Sequence, residues 1–167
     1  AKGVASSLGY EHFSSGDMFR RMAAERGLSV EEINFAAEQQ KEIDKEVDEL
    51  LVKLGQEKSH LVFDSRTAFH WIPDSFKVFL DLDPLTAAQR TFEQIQKEGR
   101  ASQEGETIED VREKTLKRVE SEKRRYQSLY GIDVIDKSQF DLVVDTAQYG
   151  LAEVIQIVVD AYQKWLS

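Results

Sequence analysis

GYEHFSSGDMFR, residues 9–20, decides how the rest of the chain is read. It is a short extended run, an abrupt Ser-Ser-Gly turn, and a helix that opens on Asp17 and carries Arg20 one turn in. A helix N-terminus presents unpaired backbone N–H groups and the positive end of the helix dipole, which suits an anion. Ser15 is placed to cap the helix and to hydrogen-bond a phosphate, and Gly16 permits close approach. Arg20 adds a bidentate donor. Taken alone the string is also an ordinary helix cap, so its meaning depends on what else reaches the same edge of the fold.

Outward from this stretch, helical and extended segments alternate. Residues 2–8 read as a helix stopped at Gly9, and residues 16–26 as a helix stopped at Gly27. Ser29-Val-Glu-Glu32 is a capping box opening a long acidic helix to Leu54, with Ile43, Val47, Leu50 and Leu54 at helical spacing and Gly55 as its stop. The polar patch at residues 38–42 is where that helix is expected to divide. HLVFDS (60–65), FKVFLDL (76–82) and FDLVV (140–144) are compact apolar runs of strand type. Pro84 opens a helix near its first turn. Residues 107–130 form a long charged helix whose narrow apolar side is Ile108, Val111, Leu116, Val119, Tyr126 and Leu129, and residues 151–166 an amphipathic closing helix.

Short apolar strands separated by helices predict an α/β fold, a parallel sheet with helices on both faces. In such sheets ligands sit beyond the carboxyl ends of the strands. Ser14 to Asp17, Asp64 to Arg66, Asp81 to Asp83 and Asp145-Thr146 all fall at such ends, so they are expected to share one edge.

The bulk properties narrow the chemistry. The 167 residues suit one domain, and 41% hydrophobic content is enough for a core. A net charge of −9 argues against a nucleic-acid polymer as partner, yet leaves room for a small phosphorylated ligand held by a few arginines. There is no cysteine, so disulfides, thiol catalysis and cysteine-type metal sites are excluded. No apolar run is long enough to span a bilayer and no secretory pattern is visible, which makes a cytoplasmic protein the expectation.

Two further clusters carry candidate chemistry. Asp64-Ser65-Arg66 follows an apolar strand, where a carboxylate can hold hydrated magnesium and an arginine can clamp a phosphate; ordinary turn polarity is the plainer reading. Arg118, Glu122 and Arg125, at spacings of four and seven, lie on one helical face. Arg112 is near that face without being squarely on it. A solvated helix with i to i+4 ion pairs accounts for such a pattern, and an arginine-rich lid closing over phosphates is the functional alternative. The polar loop at residues 99–106, with two glycines, would then be its hinge. His12, His60 and His70 have no metal-ligand spacing. TAFHWIP, residues 67–73, is apolar enough to be a loop lining the cleft or simply to pack.

Three strings together resemble a known family: SGDMFR (15–20), VFDSR (62–66) and ESEKRRYQSLYGID (120–133). The chain looks like a nucleoside monophosphate kinase, and most resembles the archaeal-type cytidylate kinases. The last string is the most specific, since the family shows a similar ES…RRY…YGID, and the family's order of elements fits the whole chain. The resemblance implies a kinase core of P-loop type, with an acceptor-binding helical insertion over residues 16–55 and a lid region over residues 99–130. It implies transfer of a phosphoryl group from ATP to CMP or dCMP with Mg2+, by a protein that is a monomer. Ser15, Gly16, Asp17 and Arg20 would bind the acceptor monophosphate together with Arg66. Asp64 would lie near that phosphate and the magnesium. Arg118, Glu122 and Arg125 resemble the Arg-x-x-x-Asp-x-x-Arg pattern of bacterial cytidylate kinases, in which the acid meets the acceptor nucleoside and the arginines hold phosphates; here the acid is glutamate. Arg90, with Arg112, would lie on the donor side, although the partner arginine expected one turn after Arg90 is Gln94. A kinase for AMP or UMP, and a nucleotide-binding protein without catalysis, are the alternatives.

The family also carries a central strand and a G-x-x-x-x-G-K-[ST] loop for the donor phosphates. These 167 residues contain no such string and open inside the helix that follows it. Because a sheet without its middle strand leaves backbone groups unpaired in the core, the expectation is that further residues, or another segment, supply it.

Overall fold

A computed structural model describes residues 1–97 and 107–167, and it has the alternating architecture. Helix α1 (Lys2–Leu8) ends where Gly9 takes φ 69°, a left-handed turn that a glycine adopts without steric penalty. Strand β1 (Glu11–Ser14) then runs straight into α2 (Ser15–Glu25). After the cap at Ser29 come α3 (Val30–Gln39) and α4 (Lys41–Glu57), which meet at an extended Gln40, where the polar patch predicts a break. Strand β2 (Leu61–Asp64) and a short helix α5 (Ala68–Trp71) follow. Next are β3 (Val78–Asp81) and α6 (Pro84–Lys97). Then come α7 (Ile108–Tyr130), β4 (Leu142–Asp145) and α8 (Leu151–Leu166).

The strands are parallel, as the α/β pattern requires, and among the described residues they pair two by two. β1 lies beside β2 with Ser14 opposite Asp64, and β3 beside β4 with Asp81 opposite Asp145. Within each pair the carboxyl ends are therefore level. A core of Val4, Val144, Val158 and Val159 is joined by Val62 from β2 and Val78 from β3, so both pairs pack onto α1 and α8.

Helices α2, α3 and α4 share a separate core of Met22, Ala23, Ile33, Ala37, Ile43 and Val47. The capping box is formed in full: Ser29 Oγ accepts the Glu32 N–H at 3.1 Å, and Glu32 Oε2 accepts the Ser29 N–H at 2.7 Å. A third cluster, Phe69, Tyr126, Ile132 and Val134, fastens α5 to the end of α7.

Three sequence expectations need correction. Gly55 does not stop α4, which continues to Glu57; a Cβ there would come within 2.8 Å of Ile72 Cδ1, so the glycine serves close packing inside the helix. Leu116 is 40% exposed, because the apolar stripe of α7 drifts off the contact face. Of the two readings of residues 67–73, packing holds for Phe69, which is buried in the cluster at the end of α7, and the loop reading is corrected: residues 68–71 are helix α5, and only Thr67 lines the cleft described below. The loop expected to act as a hinge, residues 99–106, lies outside the described residues.

Candidate functional site

The junction quoted at the outset is one wall of a cavity of about 280 Å³. α2 supplies Ser15, Gly16 and Arg20, the end of β2 supplies Asp64 and Arg66, and α7 supplies Arg118, Glu122 and Arg125. Segments far apart in sequence thus converge on one space, as the strand-end rule predicts.

The helix cap belongs to Ser14, not Ser15: Ser14 Oγ accepts the Asp17 N–H at 3.2 Å. Ser15 is instead the first helical residue, and its buried Oγ has no hydrogen-bond partner. A buried hydroxyl without a partner has a hydrogen bond left to make, and this one faces a cationic cavity. Arg20 folds back over the turn, with Nη1 3.5 Å from where a Cβ on Gly16 would be, and pairs with Asp17 at 2.5 Å. That hydrogen bond is the main cause holding the Asp17 carboxyl below the usual aspartate range.

Glu122 is the hub of the cationic half. Arg66 Nε donates to Glu122 Oε2 at 3.0 Å, while Arg118 Nε lies 3.8 Å from Oε1. Two arginines from different elements are held around one carboxylate, with their guanidinium groups largely exposed. Arg125 differs: its side chain is 6% exposed. Nε lies 2.8 Å from Asp44 Oδ2, in an ion contact whose N–H direction falls short of a hydrogen bond. Nη1 donates to the Asn34 carbonyl at 3.3 Å, and the guanidinium carbon stands 5.2 Å from the Tyr126 ring centre.

Asp44 and Asp48, one turn apart on α4, are buried, and both line the cavity. Burial pushes the Asp44 carboxyl up to about 6; the Arg125 charge opposes this, and Asp48 and Glu122 add to it. Asp48 Oδ1 accepts the Thr67 hydroxyl at 2.6 Å, and the Thr67 N–H donates to Ser65 Oγ at 3.2 Å. Sequence reasoning missed this acidic pair. The signal was Ile43-Asp44 and Val47-Asp48, acids directly beside apolar residues in a buried stripe, where an acid needs a reason to be.

Two candidates fall elsewhere. Arg90 donates to the Thr146 carbonyl at 2.9 Å, beyond the end of β4, and Arg112 is exposed on the first turns of α7. Neither lines the cavity. Among the described residues there is no group of three or more His, Cys, Asp or Glu side chains able to hold a metal. One exposed aspartate, Asp64, beside an orphaned serine hydroxyl fits magnesium only in its usual mode, in which water and phosphate supply most ligands. No described helix is long and apolar enough to cross a membrane.

Comparison with known proteins agrees with this geometry. Residues 1–109 match a family model described as an AAA domain. The cytidylate kinase of Natronomonas pharaonis is 35% identical over 97% of this chain and 82% of its own length. That of Haloquadratum walsbyi is 37% identical over 93% of this chain and 77% of its own length. That of Archaeoglobus fulgidus is 31% identical over 98% of this chain and 86% of its own length.

Proposed function

Because this chain belongs to the cytidylate kinase family, we propose that it transfers the γ-phosphoryl group of ATP to CMP or dCMP, giving ADP and the nucleoside diphosphate. An oxygen of the acceptor phosphate attacks the γ-phosphorus as its bond to the β,γ-bridging oxygen breaks. Such a reaction asks the protein for alignment and for neutralisation of charge, with little covalent chemistry. The observation that carries the proposal is the convergence of Arg20, Arg66, Arg118 and Arg125 with the unpartnered Ser15 hydroxyl on one cavity of a net-acidic protein.

In this reading Ser15, the turn at Gly16, Arg20 and Arg66 bind the acceptor phosphate. Asp17 steers Arg20, and Glu122 gathers Arg66 and Arg118 until a phosphate replaces it. Arg118 and Arg125 face the transferring group. Residues 16–55 form the acceptor-binding insertion, and residues 99–130 act as the lid. Arg90 and Arg112 lie on the donor side. Magnesium, when bound near Asp64, supplies charge neutralisation to the phosphates. A cytoplasmic monomer completes the proposal.

The test is calorimetric titration of the protein expressed from its natural gene with CMP, dCMP, UMP and AMP, followed by an assay of ADP release with ATP and magnesium. Binding and turnover of CMP and dCMP are expected. CMP binding without turnover would leave a nucleotide-binding protein, and preferred turnover of UMP or AMP would move the substrate. Absence of nucleotide binding would refute the proposal.

A further inference from the structure

Phosphate chemistry uses only part of the cavity. Away from the exposed arginines its walls are Phe19, Val30, Val47 and Tyr126, which suit a flat ring, and Asp48 lies among them. Asp48 is 6% exposed. Its Oδ1 is committed to the Thr67 hydroxyl at 2.6 Å, and Thr67 is itself tied to Ser65. Its Oδ2 is buried and accepts no hydrogen bond. A buried carboxylate oxygen without a donor is costly, so its retention calls for a partner that arrives from outside. Arg125, the nearest buried cation on this wall, is already committed to Asp44 and the Asn34 carbonyl. The Tyr130 hydroxyl is the rival donor. Burial, and its approach to the Asp48 carboxylate, push its pKa above the ordinary tyrosine range, although neither the Tyr130 hydroxyl nor Asp48 Oδ2 closes a hydrogen bond of full geometry. Tyr130 does not line the cavity.

We infer that Asp48 is a specificity-determining residue: its free Oδ2 accepts an N–H from the exocyclic amino group of a 4-aminopyrimidine base, and Thr67 is the positioning residue that aims it. An ionised carboxylate only accepts hydrogen bonds. It therefore rewards the amino group of cytosine and sets an oxygen against the 4-oxo group of uracil, as a carboxylate does when it reads cytosine in a nucleic-acid groove. The inference rests on the reading of the cavity as a site for a cytosine nucleotide and adds which side chain reads the base.

The experiment is calorimetric titration of CMP and UMP into the wild-type protein and into Asp48→Asn, without ATP, so that the donor side plays no part. Asparagine keeps an oxygen for Thr67 and turns an amide N–H₂ toward the base, a donor where there was an acceptor. The wild type is expected to favour CMP over UMP by at least about tenfold, the ratio that one hydrogen bond to a charged group supports. In Asp48→Asn that ratio should collapse or invert, through weaker CMP binding and stronger UMP binding together. A structural role alone would weaken both nucleotides equally. An unchanged ratio overturns the inference, and equal binding of CMP and UMP by the wild type overturns it while leaving the kinase reading intact. Binding of neither nucleotide by the wild type refutes the cavity reading itself, and this inference with it. Should Asp48→Asn fail to fold by circular dichroism, Thr67→Val decides: a reduced CMP:UMP ratio supports the role of Asp48, and an unreduced one overturns it.

Discussion

Replacing Asp44 with asparagine should change how stability depends on pH, in a direction opposite to that of most carboxylates. The Asp44 side chain is 1% exposed, and its pKa is raised from 3.8 to about 6, chiefly by burial. Between those two values the folded protein keeps the proton that the unfolded chain has released. Ionising Asp44 therefore costs stability as pH rises from about 4 to about 6, and the full cost persists above that window. At about 1.4 kcal/mol per pK unit the cost is roughly 3 kcal/mol. Asparagine has nearly the same shape and stands for the protonated form at every pH. The attraction of Arg125 is already contained in that raised pKa, and below it the wild-type Asp44 is itself mostly uncharged, so loss of the counter-ion is not a separate cost; the Asn34 carbonyl and the Tyr126 ring still hold the guanidinium. The assay is urea denaturation of both proteins, followed by far-UV circular dichroism, in steps from about pH 4.5 to about pH 8. Because about a third of that cost is already present at about pH 4.5, the unfolding free energy of Asp44→Asn relative to wild type should improve by roughly 2 kcal/mol from about pH 4.5 to about pH 8, or about 2–4 °C of Tm per kcal/mol. Parallel curves, or a variant that loses ground as pH rises, would refute the reasoning.

Arg66→Ala removes an exposed guanidinium that Glu122 holds at 3.0 Å beside the turn at Gly16. It should raise the apparent KM for the monophosphate about 10–100-fold with little loss of melting temperature, as steady-state kinetics and a thermal melt will show. Ser29→Ala deletes one arm of the capping box and should cost about 1 kcal/mol in urea melts, because the Glu32 N–H loses its acceptor. Ile33→Ala empties a fully buried position in the core of α2, α3 and α4. A loss of about 2–5 kcal/mol is expected, read by the same melts.

Much of the architecture was legible in local sequence. The Ser29 capping box, the Gly9 stop, the proline at the head of α6 and the apolar strand runs each act within a few residues, and each formed where it was expected. The failures share one cause. Gly55 reads as a stop because glycine often ends helices, but its missing side chain is needed by Ile72, a partner that local sequence does not reveal. Ser15 reads as the cap because either of two adjacent serines can serve; β1 runs on to Ser14, whose hydroxyl takes the cap, and the Ser15 Oγ is left buried without a partner.

The site divides in the same way. Sequence alone marked Ser15, Gly16, Arg20, Asp64, Arg66, Arg118, Glu122 and Arg125, because anion chemistry uses few residue types and places them at strand and helix ends. Only the tertiary contacts of α7 show that Arg125 is bound to a buried acid of α4 while Arg66, beyond β2, and Arg118 share Glu122. The tertiary structure also shows that Asp48 keeps one oxygen free inside the cavity. Helical and strand patterns are local, carried by spacings of two to four residues, so the chain determines them by itself. Which charge meets which, and which polar atom is left without a partner, depends on contacts between residues far apart in the chain, such as Asp44 with Arg125, and only the tertiary structure decides those.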